Sequence, residues 1–157
     1  MKLSTKGRYA VMAMVDLAKH GTDSGRPVVL AEIARRQEIS LSYLEQLFSK
    51  LRRGDLVSSI RGPGGGYKLA RPASELWIAD IVLAVDEPLR ATRCKGDPAE
   101  GCMSDKSRCL THDLWDELGN QIYLFLRSVS LEDVCAGRVR GAARGSDAQE
   151  RRVAASQ

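Results

Sequence analysis

The chain has 157 residues, 43% of them hydrophobic, and a net charge of +4 from 24 Lys/Arg against 20 Asp/Glu. That suits one modest domain, or a small domain with an appendage, and no apolar run reaches membrane-spanning length. The charge is unevenly spread: residues 1–74 hold 13 basic against 6 acidic side chains, residues 75–136 hold 6 against 12, and residues 137–157 hold 5 against 2. A basic first part beside an acidic middle directs any polyanion to the first part, although a solvated basic surface without a partner has the same composition.

Lys2, Lys6 and Arg8 precede an apolar run from Tyr9 to Val15, which superficially resembles a secretory leader. Asp16 interrupts the run and no small-x-small cleavage pattern follows, so the spacing of Ala10, Met14 and Leu17 is read instead as an amphipathic helix over about Lys6–His20. His20 closes that helix and is read as a helix-end residue rather than a ligand. Gly21–Pro27 forms a turn-rich loop, Leu30–Gln37 a short helix, and Glu38-Ile39-Ser40 a tight connector. Leu41, Leu44, Phe48 and Leu51 then recur at helical spacing, with Ser40 as N-cap and Ser42 to Glu45 matching a capping box. Leu56–Arg61 and Tyr67–Ala70 have strand composition and flank Gly62-Pro63-Gly64-Gly65-Gly66, which predicts a hairpin with a glycine-rich tip. Ile78, Ile81, Val82 and Val85 mark a further helix ended by Pro88.

Helix, tight turn, helix and hairpin together predict a mainly α fold with a small β-hairpin wing: a winged helix-turn-helix, followed by a long dimerisation helix. With Leu41, Leu44, Phe48 and Leu51 turned to the core, the second helix presents Ser42, Tyr43, Glu45, Gln46, Ser49 and Lys50. Gln46 can pair with adenine, Ser42 and Tyr43 can reach bases or phosphates, and Lys50, Arg52 and Arg53 suit phosphates. Glu45 repels phosphate, so it either accepts from a cytosine amino group or serves the capping box. Arg61 adjoins a tip of Gly and Pro, where a guanidinium can enter a narrow minor groove. An ordinary amphipathic helix with a solvated face is the competing reading. A phosphate-cradling nucleotide loop is disfavoured, because both flanks of the glycine run look like strands and no Gly-Lys-Ser/Thr follows.

Residues 90–110 lack apolar periodicity and carry Cys94, Cys102 and Cys109, with His112 three residues on. Three thiols and an imidazole suit zinc or an iron–sulfur cluster, and Lys95, Lys106 and Arg108 can offset thiolate charge. A secreted disulfide scaffold is the weaker reading without a convincing leader. From spacing alone zinc, a cluster and unliganded thiols are equally compatible, though a zinc-stabilised Cys3His nucleic-acid binder would need stacking aromatics, and none lies between Cys94 and His112. Thr111 is positioned to cap a helix from His112 to about Ser128, in which Trp115, Leu118, Ile122, Phe125 and Val129 step by 3, 4, 3 and 4 as a dimerisation seam, with Gly119 allowing close approach. Cys135 stands apart and reads as a small buried residue, with a spare ligand as the alternative. Residues 137–157 are Arg/Ala/Gly/Ser-rich and read as a disordered tail, giving a division into 1–74, 75–136 and 137–157. No nucleophile–base pair or paired-carboxylate site suggests an enzyme.

Several segments resemble the IscR family of bacterial regulators of iron–sulfur cluster assembly: Met1 to Val11, Ile39 to Phe48, Leu56 to Tyr67, Ala84 to Glu87, Ala91 to Cys94 and Cys109 to Trp115. The resemblance covers about residues 1–135. It implies a cytoplasmic homodimer, not a membrane protein, that binds a double-stranded DNA operator through Ser42, Tyr43, Glu45, Gln46 and Arg61. It implies a 2Fe–2S cluster on Cys94, Cys102, Cys109 and His112, with cluster-assembly genes as targets and the assembly machinery as a partner. The gaps between the cysteines are longer than in the family's pattern, a difference a loop absorbs at little cost. Related nitric-oxide sensors use three cysteines without this histidine, so His112 favours the cluster-assembly branch over a nitric-oxide- or iron-responsive one. A small electron-transfer protein is the reading furthest from these.

Overall fold

The computed structural model describes residues 4–89 and 101–139. The elements run α1 (Thr5–Ser24), α2 (Leu30–Gln37), α3 (Leu41–Arg53), β1 (Val57–Ile60), β2 (Gly66–Leu69), a short 3₁₀ turn, α4 (Ile78–Ala84), α5 (His112–Arg127) and α6 (Leu131–Cys135). Cys94 and Lys95 lie outside the described residues, as does the tail from residue 140.

Ser4 caps α1, accepting from the Lys6 N–H at 3.2 Å. The Ser4 N–H also donates to Glu87 Oε1 at 2.9 Å, and its hydroxyl donates to the same carboxylate, which ties the start of α1 to the exit of α4. α1 runs past Gly21 and stops at Gly25, whose φ of 62° is the left-handed conformation that ends helices. A buried polar joint links α1 to α2. The Asp16 carboxylate accepts from Arg36 Nη2 at 2.7 Å, Arg36 Nε at 3.0 Å and Gln37 Nε2 at 2.7 Å.

α3 starts at Ser40, whose hydroxyl accepts from the Tyr43 N–H at 3.1 Å. With Ser40 in the cap, the capping box expected from Ser42 and Glu45 does not form. Leu44, Leu47, Phe48 and Leu51 are buried. Leu41, expected in the core, is instead 42% exposed, because the first residue of α3 projects beyond the layer its later turns cover; Leu47 takes the core place.

β1 and β2 pair antiparallel with Ser59 opposite Tyr67 and Ile60 opposite Gly66. Val28 adds a short third edge: its N–H donates to Tyr67 O at 2.9 Å and its carbonyl accepts from the Tyr67 N–H at 2.8 Å. The Tyr67 ring meets Phe48 edge-on, centroids 4.9 Å apart, and pins the hairpin to α3.

α4 and α6 close the same core, with Leu76, Ile81, Val82, Val85 and Leu131 fully buried beside Met14, Leu17, Ile33 and Phe48. Residues on both sides of position 74 therefore share one core. Ile78 N–H donates to Val129 O and Leu131 N–H to Leu76 O, clamping the chain after α5 onto the start of α4. α6, unforeseen in the sequence reading, begins with a complete capping box between Ser130 and Asp133.

Candidate nucleic-acid interface and cysteine–histidine centre

Burial of Leu44, Leu47, Phe48 and Leu51 leaves the opposite face of α3 to solvent, where Ser42, Glu45, Gln46 and Ser49 are all exposed. Ser42 and Gln46 are one turn apart and share a stripe, with Leu41 and Glu45 forming the adjacent one. Tyr43 is only half-exposed: its ring stands edge-on to Tyr9, centroids 6.1 Å apart. Lys50, expected to meet phosphate, is engaged within the chain. Its Nζ lies 2.7 Å from Asp86 Oδ2, and the same ammonium holds the Asp86 carboxyl below the usual carboxylate range.

Arg61 follows β1 directly, is exposed, and has no side-chain partner among the described residues. The tip beyond it needs its glycines. Gly62 and Gly64 have φ of 96° and 74°, and a side chain on Gly65 or Gly66 would run into the backbone of Ile60 or Val28. Backbone can thus approach a wall of DNA closely at this point, with the guanidinium beside it.

The second cluster stands at the start of α5. Residues 101–109 form a tight loop: Met103 N–H donates to Ser107 O and Lys106 N–H to Met103 O. Gly101 sits so close to the Lys106–Ser107 backbone that any side chain there would force the loop open. Asp105 accepts from the Ser107 hydroxyl and N–H at 2.6 and 2.9 Å, and those bonds lower its pKa. Closing the loop brings Cys102 Sγ to 3.2 Å from His112 Nδ1, and the Cys109 N–H donates to the same sulfur at 3.1 Å. His112 is the first residue of α5 and is 3% exposed. Cys109 Sγ lies 3.9 Å from Thr111 Oγ1. Thr111 occupies the N-cap position but makes no capping bond; its hydroxyl takes the Trp115 indole N–H at 3.1 Å.

Among the described residues no three His, Cys, Asp or Glu side chains converge as a metal site. The donor chemistry still fits a soft, thiolate-ligated centre. A sulfur, a buried imidazole and an N–H···S bond meet at one point, with a second thiol three residues before the imidazole. The fourth donor of the expected set, Cys94, is outside the described residues.

Along α5 only His112 is buried. Leu114, Trp115 and Phe125 are exposed and Leu118 and Ile122 half-exposed, and helical geometry groups these five on one face. Leu114, at 61% exposure, belongs to this face although it was absent from the expected seam; its signal is the four-residue step to Leu118. Val129 leaves the seam. It follows the end of α5, is 7% exposed, and packs in the chain's own core, where its carbonyl is held by Ile78. Arg127 braces the far end of α5 against α4 with 2.9 Å bonds to both oxygens of Asp80.

Known proteins place this arrangement. The Rrf2 family profile, described as an iron-dependent transcriptional regulator, matches residues 3–137. The transcriptional regulator IscR of Photorhabdus laumondii is 57% identical over 134 residues, covering 85% of this chain and 79% of that protein. The solved structure of T. potens IscR superposes with a TM-score of 0.69 at 36% identity, over 88% of each chain. That of CymR, the global cysteine regulator of B. subtilis, gives 0.70 at 33% identity over 87% of this chain and 97% of that one. These relatives share the winged helix and the regulator's role. The chain belongs to the Rrf2 family, as a DNA-binding transcription regulator of the IscR type.

Proposed function

We propose that the chain works as a homodimer that controls cluster-assembly genes, reading a double-stranded operator through α3 and the wing and answering to a 2Fe–2S cluster held by Cys94, Cys102, Cys109 and His112. The observation that carries this reading is the approach of Cys102 Sγ to the buried His112 imidazole at the first residue of α5. Ser42, Glu45 and Gln46 face base edges, Tyr43 the flank, and Arg61 the minor groove. The exposed face of α5 pairs with a second copy. Such thiols persist in the reducing cytoplasm.

When bound, the 2Fe–2S group would supply a redox-active centre that carries less negative charge than an all-cysteine site, because one ligand is a neutral imidazole. The chain's own residues do the rest. Cys102 takes the Cys109 N–H, which stabilises charge on its sulfur. His112 commits the first turn of α5 to the cysteine loop, so the loop's path and the direction of the dimer helix are set together. Because α5 would carry the dimer face, that direction governs the spacing of the two α3 helices.

The test compares anaerobically purified chain with a Cys94→Ala, Cys102→Ala, Cys109→Ala variant. The wild type should contain about two irons and two acid-labile sulfides per chain and the variant neither. The variant should remain folded and dimeric yet bind at least one operator class differently. Zinc in the wild type, or identical binding across an operator panel, would overturn the sensing role.

A further inference from the structure

Beside the polar stripe of α3 lies an open notch of about 380 Å³, bounded by the start of α2, the start of α3 and the wing. Val29, Leu41 and Ile60 line it, and they are 45%, 42% and 43% exposed. Single exposed apolar side chains are ordinary on a protein surface, but three converging on one depression are a patch. Its place is specific. Leu41 directly precedes Ser42 and lies one turn before Glu45, which also borders the notch, so the depression runs alongside the residues turned to the bases. The opposite wall is the backbone of Gly65 and Gly66, which the fold keeps free of side chains because a Cβ there would meet the Ile60 and Val28 backbone.

The lining decides what this notch accepts. No Lys or Arg borders it and a carboxylate does, so a phosphate is repelled. In the major groove the apolar feature on a base edge is the C5-methyl of thymine. Removing that methyl from water against Leu41 is favourable, and the open glycine wall lets the base edge come near. We propose that the notch receives a thymine methyl group of the operator and that Leu41 is a specificity-determining residue, selecting thymine at one position of each half-site. This rests on the reading of α3 as the base-facing helix given above.

The experiment uses duplexes that the full-length protein selects from a random pool. Each thymine is replaced in turn by uracil, which pairs identically and lacks only the methyl. Wild-type affinity should fall about fourfold per half-site at one thymine, the effect of exposing one carbon's worth of apolar surface. Leu41→Ala should bind thymine and uracil duplexes equally, with an unchanged salt slope and an unchanged melting temperature, while Leu41→Met should keep the discrimination. A double-mutant cycle between residue and methyl isolates the contact. A wild type indifferent to every uracil, or a Leu41→Ala variant that keeps the full discrimination, would overturn the proposal. So would an equal loss for Leu41→Ala on all duplexes, which would assign the notch to the sugar–phosphate wall. Failure of the wild type to select any sequence would instead remove the base-reading role of α3, and this proposal with it.

Discussion

In residues 4–89 most of the large apolar side chains of α1 to α4 meet one another, and Phe48, Met14, Leu17, Ile33 and Leu44 have essentially no contact with solvent. In α5 the proportions reverse: Leu114, Trp115, Tyr123, Leu124 and Phe125 are all exposed, and the one buried residue is a histidine. The first region buries its large apolar side chains in one core, which α6 completes, and its buried Asp16 carboxylate is paired with Arg36. The second holds exposed apolar surface beside the Cys102–His112 pair. An exposed apolar face on a helix is the kind of surface that takes a partner, and it sets α5 apart from the part that reads DNA.

Two substitutions should break this contrast in opposite ways. Phe48→Ala removes a fully buried ring that also pins the wing through Tyr67. It should cost about 3–5 kcal/mol of folding stability, seen as a large drop in the denaturant midpoint whether the protein is monomeric or dimeric. Ile122→Glu places a charge on the half-exposed α5 face. It should leave the winged helix folded, give monomers by sedimentation, and weaken operator binding about a hundredfold, because two half-sites would no longer be held together. An Ile122→Glu chain that stays dimeric would show that the α5 face is not the interface.

How far the sequence foretold each region follows from the same contrast. Where a chain packs on itself, periodicity and caps mark the elements: α2 falls on Leu30–Gln37 as read, and α3 begins after Ser40 as read. The departures have local causes. α1 extends beyond His20 because Gly21 stays helical and Gly25 supplies the left-handed stop. Leu41 fits the helical period yet lies past the edge of the core, which a repeat cannot reveal. In the second region the three–four spacing found the α5 face but carried one step too far, to Val129, since periodicity does not show where the chain turns back into its own core. The sequence also left the liganded state of the cysteines open. The Cys102–His112 contact depends on a closed loop whose key residue, Gly101, has no periodic signal.

Within the winged-helix core the Asp16 joint is the next point of attack. Burial pushes this carboxyl up, but the hydrogen bonds from Arg36 and Gln37 outweigh it and hold it below its ordinary 3.8. A depressed folded-state pKa contributes stability that is complete above the unfolded value and is lost as pH falls through the folded one. Asp16→Asn should therefore cost about 1–3 kcal/mol at neutral pH. The gap from wild type should close as both are titrated below about pH 3.8. Denaturation midpoints across pH 2–7 measure this; a gap constant over the whole range would mean that the charge on Asp16 contributes nothing.

The smallest effects should separate two cations expected at the DNA face. Arg61 is exposed and its guanidinium has no partner among the described residues, whereas the Lys50 ammonium is 2.7 Å from Asp86. A free guanidinium that meets phosphate or the narrow groove displaces a counterion outright. Arg61→Ala should then cost about 1–3 kcal/mol of operator affinity and make the salt dependence shallower by about one unit. Lys50 must first leave Asp86, so binding DNA exchanges one anion for another and gains little. Lys50→Ala should change the slope by clearly less than one unit. Asp86→Ala tests the cause, because it frees the same ammonium: affinity at low salt should rise and the slope steepen toward the value expected for one more phosphate contact. A Lys50→Ala loss equal to that of Arg61→Ala would mean that the Asp86 pair opens on DNA and that Lys50 is a full phosphate contact after all.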